Sequence, residues 1–316
     1  LYTELFSMKI LTVLSHDSSL FKKEAGGKAY NLKRMIDQKI PVPPFLAVGN
    51  QFLEDYLEST KVLLNIKFDE DFKRLEKEID EIFIKTDLPE NLKQELREKL
   101  QQEKLIGGFL AVRSSGLEED GDALSFAGLF SSFLFQKNEE EIFKSLRRCW
   151  ASAYSERALS YRRKNGLSLV DIKMGVVIQK IIHSEKAGVI FTKNPINPLD
   201  RDNIIVEGVF GQGEGLVSGA FEADQYLVHL KEQKVQATKA EKTEQYLQDS
   251  NGGIKKAPVP VELKDKFVLN NDEAIKLASI SAHIEKTYDT PMDIEWAKES
   301  DEFYILQMRP ITTLPH

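Results

Sequence analysis

Hydrophobic and polar positions divide the chain into a helical first third and a strand-rich remainder. Between residues 69 and 103, apolar residues recur at helical spacing among alternating acidic and basic residues, which is typical of solvated amphipathic helices. From Gly107 onward, short apolar runs are separated by glycine and small polar residues, and the first of them predicts a strand over 109–112. A short helix over 29–38 is predicted ahead of the proline cluster at 41–44.

The second half of the chain alternates strand and helix signals. A long helix is predicted over 138–165, with Asn138 as cap and Asn165-Gly166 as stop. A later helix is expected over 272–288, whereas residues 231–266 are polar and show no clear period. The predicted strands are rich in Val, Ile and aromatic residues; they cover 173–182, 188–192, 203–210, 225–230, 291–297 and 303–309. The pattern as a whole predicts an α+β fold.

Composition narrows the classes of function. Hydrophobic residues make up 41% of the 316 residues, which is enough for a substantial core. The net charge of -7 argues against a nucleic-acid surface or a basic membrane patch. Neither a membrane-spanning apolar run nor a signal peptide is recognisable, and the single cysteine, Cys149, fits a reducing compartment. We therefore expect a cytoplasmic protein that binds neither nucleic acid nor membrane, with Cys149 as a buried small hydrophobe.

The last two predicted strands carry the clearest candidate chemistry. Read as a hairpin that turns near Asp301, they place alternate residues on opposite faces. One face receives Asp293, Glu295, Gln307 and Arg309, and the other receives Ile294, Trp296, Leu306 and Met308. Oxygens of Glu295 and Gln307 suit Mg²⁺, and the guanidinium of Arg309 suits phosphate. An ordinary antiparallel sheet with one solvated face is an equally good interpretation of this hairpin alone.

Two other regions have phosphate-binding character. The strand ending in Arg113-Ser114-Ser115 delivers a cation and two hydroxyls into a polar loop, although a plain surface loop has a similar composition. The glycine clusters at 26–27 and 211–215 are not Walker loops. Lys28 follows the first cluster and either reaches a phosphate or is an exposed helix-start lysine. None of the histidines has the neighbours of a nucleophile or metal ligand.

Taken in order, these motifs resemble the N-terminal ATP/AMP-binding domain of phosphoenolpyruvate synthase and pyruvate phosphate dikinase. The resemblance covers the whole chain. It is carried by Gly26-Gly27-Lys28-Ala29-Tyr30-Asn31-Leu32, Pro41-Val42-Pro43-Pro44, Val112-Arg113-Ser114-Ser115, Ser125-Phe126-Ala127-Gly128, Arg148-Cys149-Trp150-Ala151-Ser152, Gly188-Val189-Ile190-Phe191-Thr192, Gly211-Gln212-Gly213-Glu214, Asp293-Ile294-Glu295-Trp296-Ala297 and Leu306-Gln307-Met308-Arg309-Pro310. The chain departs from the family pattern at Gln212, where leucine is usual, and after Gly128, where glutamine or glutamate is commoner than Leu129 to Ser132.

The resemblance implies an ATP-grasp fold whose two lobes hold the nucleotide between antiparallel sheets. Residues 1–175 would form the lobe that contacts phosphates, and residues 176–316 would form the lobe with the adenine and Mg²⁺ sites. Lys28, Arg113 and Arg309 would act on the phosphates, and Glu295 and Gln307 would bind Mg²⁺. Backbone near Gln179, Lys180 and Ile181 would contact adenine, Glu207 would lie near the ribose, and the loop from Ser125 to Gly128 would cover the phosphates.

The resemblance also implies a reaction and partners. ATP would be converted to AMP and phosphate through a histidine on another domain or chain, with pyruvate as the final acceptor. No phosphohistidine segment is recognisable in this sequence, so the swivelling histidine domain and the acceptor domain are expected elsewhere in a longer protein or in trans. Two alternatives stay open: the ATP-binding domain of a rifampin-phosphotransferase-like antibiotic kinase, and a non-catalytic nucleotide sensor.

Overall fold

A computed structural model of the chain describes residues 10–11, 18–117, 120–121, 124–125, 131–194 and 202–311. These residues form helices and antiparallel sheets, which confirms the predicted α+β class. They divide into two units, one with the described residues up to Arg34 and Pro44–Ile181, the other with Met35–Pro43 and the described residues from Ile182. No helix within these ranges is long and apolar enough to cross a membrane.

The first unit combines helices with an antiparallel sheet. Its helices are α1 (Ser18–Asp37, whose last residues belong to the second unit), α2 (Asn50–Thr60), α3 (Phe72–Lys85), α4 (Glu90–Gln102), α5 (Glu139–Ala151) and α6 (Glu156–Lys164). Its strands are β1 (Ile10–Leu11), β2 (Phe45–Val48), β3 (Leu110–Gly116), β4 (Asp120–Gly121), β5 (Leu124–Ser125), β6 (Ser132–Gln136) and β7 (Met174–Lys180). Within the described residues the larger sheet has the order β1-β2-β7-β3-β6.

The apolar stripes predicted between residues 69 and 103 form one side of the core of the first unit. Helix α3 buries Leu75, Ile79 and Phe83, and helix α4 buries its leucines at 92, 96 and 100. Each such side chain contributes roughly 1.5–3 kcal/mol when fully buried. The charged positions between them stay on the solvent side, as the alternation of acids and bases predicts.

The prediction of one long helix over 138–165 is wrong, because helix α5 ends at Ala151. A 3₁₀ turn covers Ser152–Tyr154, and α6 begins at Glu156. The hydroxyl of Ser152 donates to Cys149 O at 2.6 Å, and the Ser155 hydroxyl accepts from Ala158 N at 3.3 Å as the cap of α6. Serine side chains that bond nearby backbone groups compete with helix continuation, and the apolar period alone does not show this.

The second unit is built on a sheet with one helix-covered face. Its strands are β8 (Lys186–Phe191), β9 (Asn203–Phe210), β10 (Asp224–His229), β11 (Lys234–Thr238), β12 (Glu244–Gln248), β13 (Ile254–Pro258), β14 (Met292–Glu299) and β15 (Glu302–Pro310). Its helices are α7 (Glu214–Val217), α8 (Val261–Lys264) and α9 (Asn271–Tyr288). In the described part, the main sheet has the antiparallel order β11-β10-β9-β8-β14-β15, and β12 pairs with β13.

Helix α9 covers one face of the main sheet and is tied to it by charge. A capping box starts the helix: Asn270 Oδ1 accepts from Glu273 N, and the Glu273 carboxylate accepts from Asn270 N. The same carboxylate accepts from Lys186 Nζ at 2.9 Å and from Lys298 Nζ at 2.9 Å. Because Lys186 and Lys298 are cross-strand partners, Glu273 neutralises two cations that face each other. The opposite face of the sheet does not pack on α9 and carries the candidate site.

Cys149 has the structural role predicted for it. The residue is fully buried in the core of the first unit, and its thiol contacts Val112 O at 3.6 Å. Burial raises the pKa of the Cys149 thiol to about 12, outweighing the hydrogen bond with Ser114 and the charge of Lys28. The thiol therefore stays protonated and unreactive at neutral pH.

Candidate functional site

The hairpin β14–β15 places its polar residues in two cross-strand pairs. Asp293 lies opposite Arg309, and Glu295 lies opposite Gln307. Since side chains alternate along a strand, both pairs are on the same face of the sheet, as the sequence predicts for these residues. The other face receives Ile294 and Trp296, which are buried.

One detail of the predicted hairpin is wrong. The register shifts between Glu295 and Trp296, so that Trp296 pairs with Ile305 and Leu306 becomes the extra residue of a β-bulge. Leu306 was expected beside Trp296, but it packs instead with Ala297 and Tyr304, on the face of the polar pairs. A bulge follows from the pairing of two strands, so the alternation of residues in one strand does not predict it.

The register extends the Glu295–Gln307 pair into a line across the sheet. Glu295 lies opposite Val189, Val189 lies opposite Glu207, and Glu207 lies opposite Gln225. Glu207 is therefore on the same face as Glu295, two strands or roughly 10 Å away. Gln225 Nε2 donates to Glu207 Oε1 at 3.2 Å. Sequence reasoning missed Gln225, because only strand order makes it a neighbour of Glu207.

An apolar platform occupies one end of this face. It consists of buried Ile182, Ala187 and Ala297 with partly buried Tyr304 and Leu306 packed against them. Ala297 and Asp293 are four residues apart on β14, which corresponds to roughly 13 Å at about 3.3 Å per residue. The face thus changes from apolar at the platform, through Glu207, Glu295 and Gln307, to charged at Asp293 and Arg309.

The charged end is held by an ion pair. Arg309 Nε donates to Asp293 Oδ2 at 2.7 Å, and the side chain of Arg309 is 60% exposed while that of Asp293 is 15% exposed. The hydrogen bond and charge of Asp293 raise the pKa of Arg309 above its ordinary value. The guanidinium therefore stays cationic and keeps its remaining N–H donors toward solvent.

The donor set on this face fits Mg²⁺. Asp293 Oδ1 is buried and has no hydrogen-bond partner among the described residues. Together with the Glu295 carboxylate and the Gln307 amide oxygen it supplies hard oxygen ligands, which Mg²⁺ prefers. No group of three or more His, Cys, Asp or Glu residues in the described ranges could hold a metal alone. A magnesium ion here would need further oxygen ligands, such as phosphates or water.

In the first unit, helix α1 is kinked at Gly26, two residues before Lys28, and the kink lies against β3. Gly26 has φ +79°, and a Cβ there would lie 2.2 Å from Ser115 O. The Ala29 N–H donates to Ser115 Oγ at 3.2 Å. The part of α1 that contains Lys28 and the strand that contains Arg113 are thus in direct contact through Ser115, although they are far apart in the sequence.

The serines of this strand are committed to the fold. Ser114 and Ser115 are buried, and Ser114 Oγ donates to Ser131 O at 2.6 Å. The sequence suggested these two hydroxyls as phosphate ligands, but both form hydrogen bonds within the first unit. Lys28 and Arg113 are each half-buried. They remain the candidate phosphate-binding residues of this region.

The residues expected to contact adenine lie at and just after the end of β7. Lys180 N–H donates to Pro44 O and Ile181 N–H donates to Phe109 O, each at 2.9 Å, and the side chain of Gln179 is buried. Backbone donors at 180 and 181 are thus engaged within the first unit. The next N–H belongs to Ile182, for which the described residues offer no acceptor.

The loop expected over the phosphates is only partly described. Ser125 is the last residue of β5 and pairs with Asp120 in β4. Gly128 and the side chain of Ser125 lie outside the described residues. Their contribution to the site therefore stays a prediction.

Comparison with known proteins relates this chain to a family of dikinases. Residues 22–316 match the model described as "Pyruvate phosphate dikinase, AMP/ATP-binding domain". A probable phosphoenolpyruvate synthase of Methanocaldococcus jannaschii is 34% identical, covering 98% of this chain and 27% of that protein. The uncharacterized phosphotransferase YvkC of Bacillus subtilis is 30% identical, covering 96% and 35%. The chain spans less than half the length of these relatives.

Solved structures resemble the chain only distantly. PH1788 from Pyrococcus horikoshii matches with a TM-score of 0.40 and 12% identity over 93% of each chain. D-alanyl-alanine synthetase A from Vibrio cholerae matches with a TM-score of 0.36 and 7% identity over 93% of this chain and 56% of that chain. Scores this low carry no inference about the site. The antiparallel α+β architecture itself is consistent with an ATP-grasp fold.

The family match includes both units and all the site residues named above. It starts before Lys28 and continues beyond Arg309. The polar pairs of β14–β15 and the glycine kink before Lys28 therefore both fall within the matched region. The chain belongs to the family of the pyruvate phosphate dikinase AMP/ATP-binding domain.

Proposed function

We propose that this chain binds Mg·ATP in an ATP-grasp domain and serves as the nucleotide-binding part of a cytoplasmic phosphoenolpyruvate-synthase-like dikinase. The observation that carries the proposal is the face of the second unit's sheet. On it, the oxygen donors of Asp293, Glu295 and Gln307 and the cation of Arg309 follow an apolar platform along the same two strands. A nucleotide needs this combination of an apolar surface for the base and hard donors for a metal polyphosphate.

The gradient of polarity orients the nucleotide. The base would lie against the apolar platform, where Tyr304 and Leu306 are partly exposed. The phosphates would lie toward Asp293 and Arg309. Glu207, on the line of Glu295, would accept hydrogen bonds from ribose hydroxyls, with Gln225 orienting its carboxylate.

The chain's cations and acids would share the work on the phosphates. Asp293, Glu295 and Gln307 would hold Mg²⁺, which supplies neutralisation of the polyphosphate charge when bound. Arg309 would donate to phosphate oxygens while Asp293 fixes its orientation. Lys28 and Arg113 would act on phosphates, and Ser125 and Gly128 would belong to a loop over phosphates. The lobe border would lie near residue 175.

Phosphoryl transfer needs little from the protein beyond alignment and charge neutralisation. We place the acceptor histidine on another domain or chain, and pyruvate as the final acceptor, with AMP and phosphate released. The relatives' names support this assignment, because several are probable phosphoenolpyruvate synthases. Another relative is named a prodigiosin synthesizing transferase, so the labelling experiment has to identify the acceptor.

Calorimetry with Mg·ATP tests the binding site. We expect Glu295→Gln and Arg309→Ala each to weaken binding by about tenfold or more, because one loses a metal ligand and the other a charged phosphate donor. Glu302→Gln is the matched control, since Glu302 is an exposed carboxylate of the same hairpin. Equal affinity of all three variants and the parent would contradict the proposal.

A labelling experiment tests the chemistry. ATP labelled at the β-phosphate is incubated with the chain and a histidine-domain partner, followed by pyruvate or rifampicin. Labelled partner with release of AMP supports a dikinase, and transfer to one acceptor identifies the substrate. Binding of ATP that stays intact in the presence of the partner would instead support a nucleotide sensor.

A further inference from the structure

The Gly211–Gly213 turn is fixed to its surroundings on two sides. Gly211 N–H donates to Glu185 O at 2.8 Å, and Ser184 Oγ donates to Gly211 O at 3.0 Å. On the other side, Gln212 N–H donates to Tyr246 O at 2.7 Å. Gly211 has φ +76°, and a Cβ there would lie 2.2 Å from Tyr246 O, so this close approach requires glycine. The position of Gln212 is therefore well defined.

A hydrogen bond determines which end of the Gln212 side-chain amide faces Ile182. Gln212 Nε2 donates to Ile182 O at 3.1 Å. A backbone carbonyl only accepts hydrogen bonds, so the amide must direct its NH₂ group to Ile182 and its Oε1 away from it. In the described part of the chain, no donor reaches this Oε1. Gln212 therefore presents a fixed acceptor.

That acceptor lies at the edge of the apolar platform. Ile182 is a member of the platform, and a Cβ on Gly213 would lie 3.3 Å from the Cβ of Ala187. The turn thus rests against the platform on the face that also carries Glu295. Ile182, which receives the Gln212 amide, also has a backbone N–H for which the described residues offer no acceptor.

We propose that Gln212 is a specificity-determining residue whose Oε1 accepts a hydrogen bond from the 6-amino group of adenine. Ile182 N–H would donate to N1 of the same base. Adenine offers an acceptor at N1 and a donor at its 6-amino group, whereas guanine has a donor at N1 and an acceptor at O6. A leucine at this position would offer no acceptor to the amino group. This inference rests on the proposed function, because it assumes that a nucleotide base lies on the platform.

The test compares three ligands against two proteins. The full chain and Gln212→Leu are titrated in the presence of Mg²⁺ with ATP, with purine riboside triphosphate, which lacks the 6-amino group, and with GTP. We expect the parent to bind ATP about 3- to 10-fold more tightly than purine riboside triphosphate. In Gln212→Leu this ratio falls to about one, because ATP binds more weakly while purine riboside triphosphate is unaffected.

Two further variants distinguish a loss of adenine recognition from a loss of folding. Gln236→Leu removes an exposed amide of the same unit and is expected to keep the parent's ligand ratio. If Gln212→Leu does not fold, Gln212→Met replaces it, since methionine is close to glutamine in length and has no amide. An unchanged ratio with equally weakened ATP and purine riboside triphosphate would show that Gln212 only braces Ile182, and would overturn the inference. Failure of the parent to bind any of the three ligands would overturn the proposed function itself.

Discussion

The carboxylate of Asp293 has two oxygens in different environments. One carboxylate oxygen holds Arg309, whereas the other is buried and has no partner among the residues that the structure describes. A buried acceptor left without a hydrogen bond costs about 1–3 kcal/mol, so such an oxygen is usually satisfied by a water, an ion or a ligand. The sequence predicted that Asp293 shares a face with Glu295 and Arg309, and the structure confirms this. The sequence assigned Asp293 no role, because the burial of its unpaired oxygen depends on the packing of the sheet.

Asp293→Asn should weaken Mg·ATP binding by about tenfold through its effect on the metal. The asparagine keeps the size of the side chain but loses the charge that Mg²⁺ and Arg309 both use. Affinity is measured by calorimetry over a series of Mg²⁺ concentrations. Asp301→Asn, at the exposed turn of the same hairpin, is the control and should match the parent. A loss that is the same with and without Mg²⁺ would argue against a metal ligand.

Gly26 determines how the kink of α1 contacts β3. Its φ of +79° with ψ of 178° is a conformation that residues with a Cβ rarely adopt, and Ser115 O leaves no room for the added carbon. We expect Gly26→Ala to lower the free energy of unfolding by about 2–3 kcal/mol, measured by denaturant titration. Gly108→Ala is the control, because a Cβ at that position meets nothing within 4 Å. Equal stability of both variants would contradict the assigned contact.

Among the helices and strands, α9 shows how a charge network orders the second unit. Its first turn brings Glu273 between Lys186 and Lys298, with side chains that are 13–23% exposed. The helix covers the sheet face opposite the site. The cation–carboxylate network therefore supports β8 and β14, the second of which carries Glu295, from the face opposite the candidate site.

The Glu273 network predicts a defined loss of stability in acid. Burial alone would raise the pKa of Glu273, but hydrogen bonds from Lys298 and Lys186 lower it from 4.5 to about 2. Since the folded-state pKa is the lower one, the stabilisation is fully present above about pH 4.5 and is lost as the pH falls through about 2. Thermal unfolding between pH 5 and 2 measures this loss.

Glu273→Gln isolates that contribution. The variant should lose about 2 kcal/mol of unfolding free energy near neutral pH, because two facing lysines lose their shared carboxylate. Its stability should depend less on pH than that of the parent between 4.5 and 2. Asp272→Asn, in the same helical turn but exposed, is the control. A parallel pH dependence of Glu273→Gln and the parent would exclude Glu273 as the source.

Across the chain, local signals predicted more of the fold than of the site. The amphipathic periods of α3 and α4, the Asn138 cap and the glycine-bounded strands are short-range features, and the structure confirms them. The sequence did not predict the helix break before α6. The hydroxyl of Ser152 makes this break through hydrogen bonds with Ser131 and Cys149, and the spacing of apolar residues carries no information about these bonds. The strands within the polar segment 231–266 were not predicted either. They are β11, β12 and β13, and they are stabilised by pairing with other strands and not by an apolar pattern of their own.

Residue alternation within one hairpin was sufficient to put Asp293, Glu295, Gln307 and Arg309 on one face, and motif order was sufficient to indicate the family. Strand order, by contrast, is set by pairing between distant segments. That pairing aligned Glu207 with Glu295, moved Leu306 beside Ala297 through a bulge, and brought the Gly211–Gly213 turn against Ile182. Such contacts depend on the packing of whole sheets, where a one-residue shift reverses every side chain, so local patterns cannot specify them.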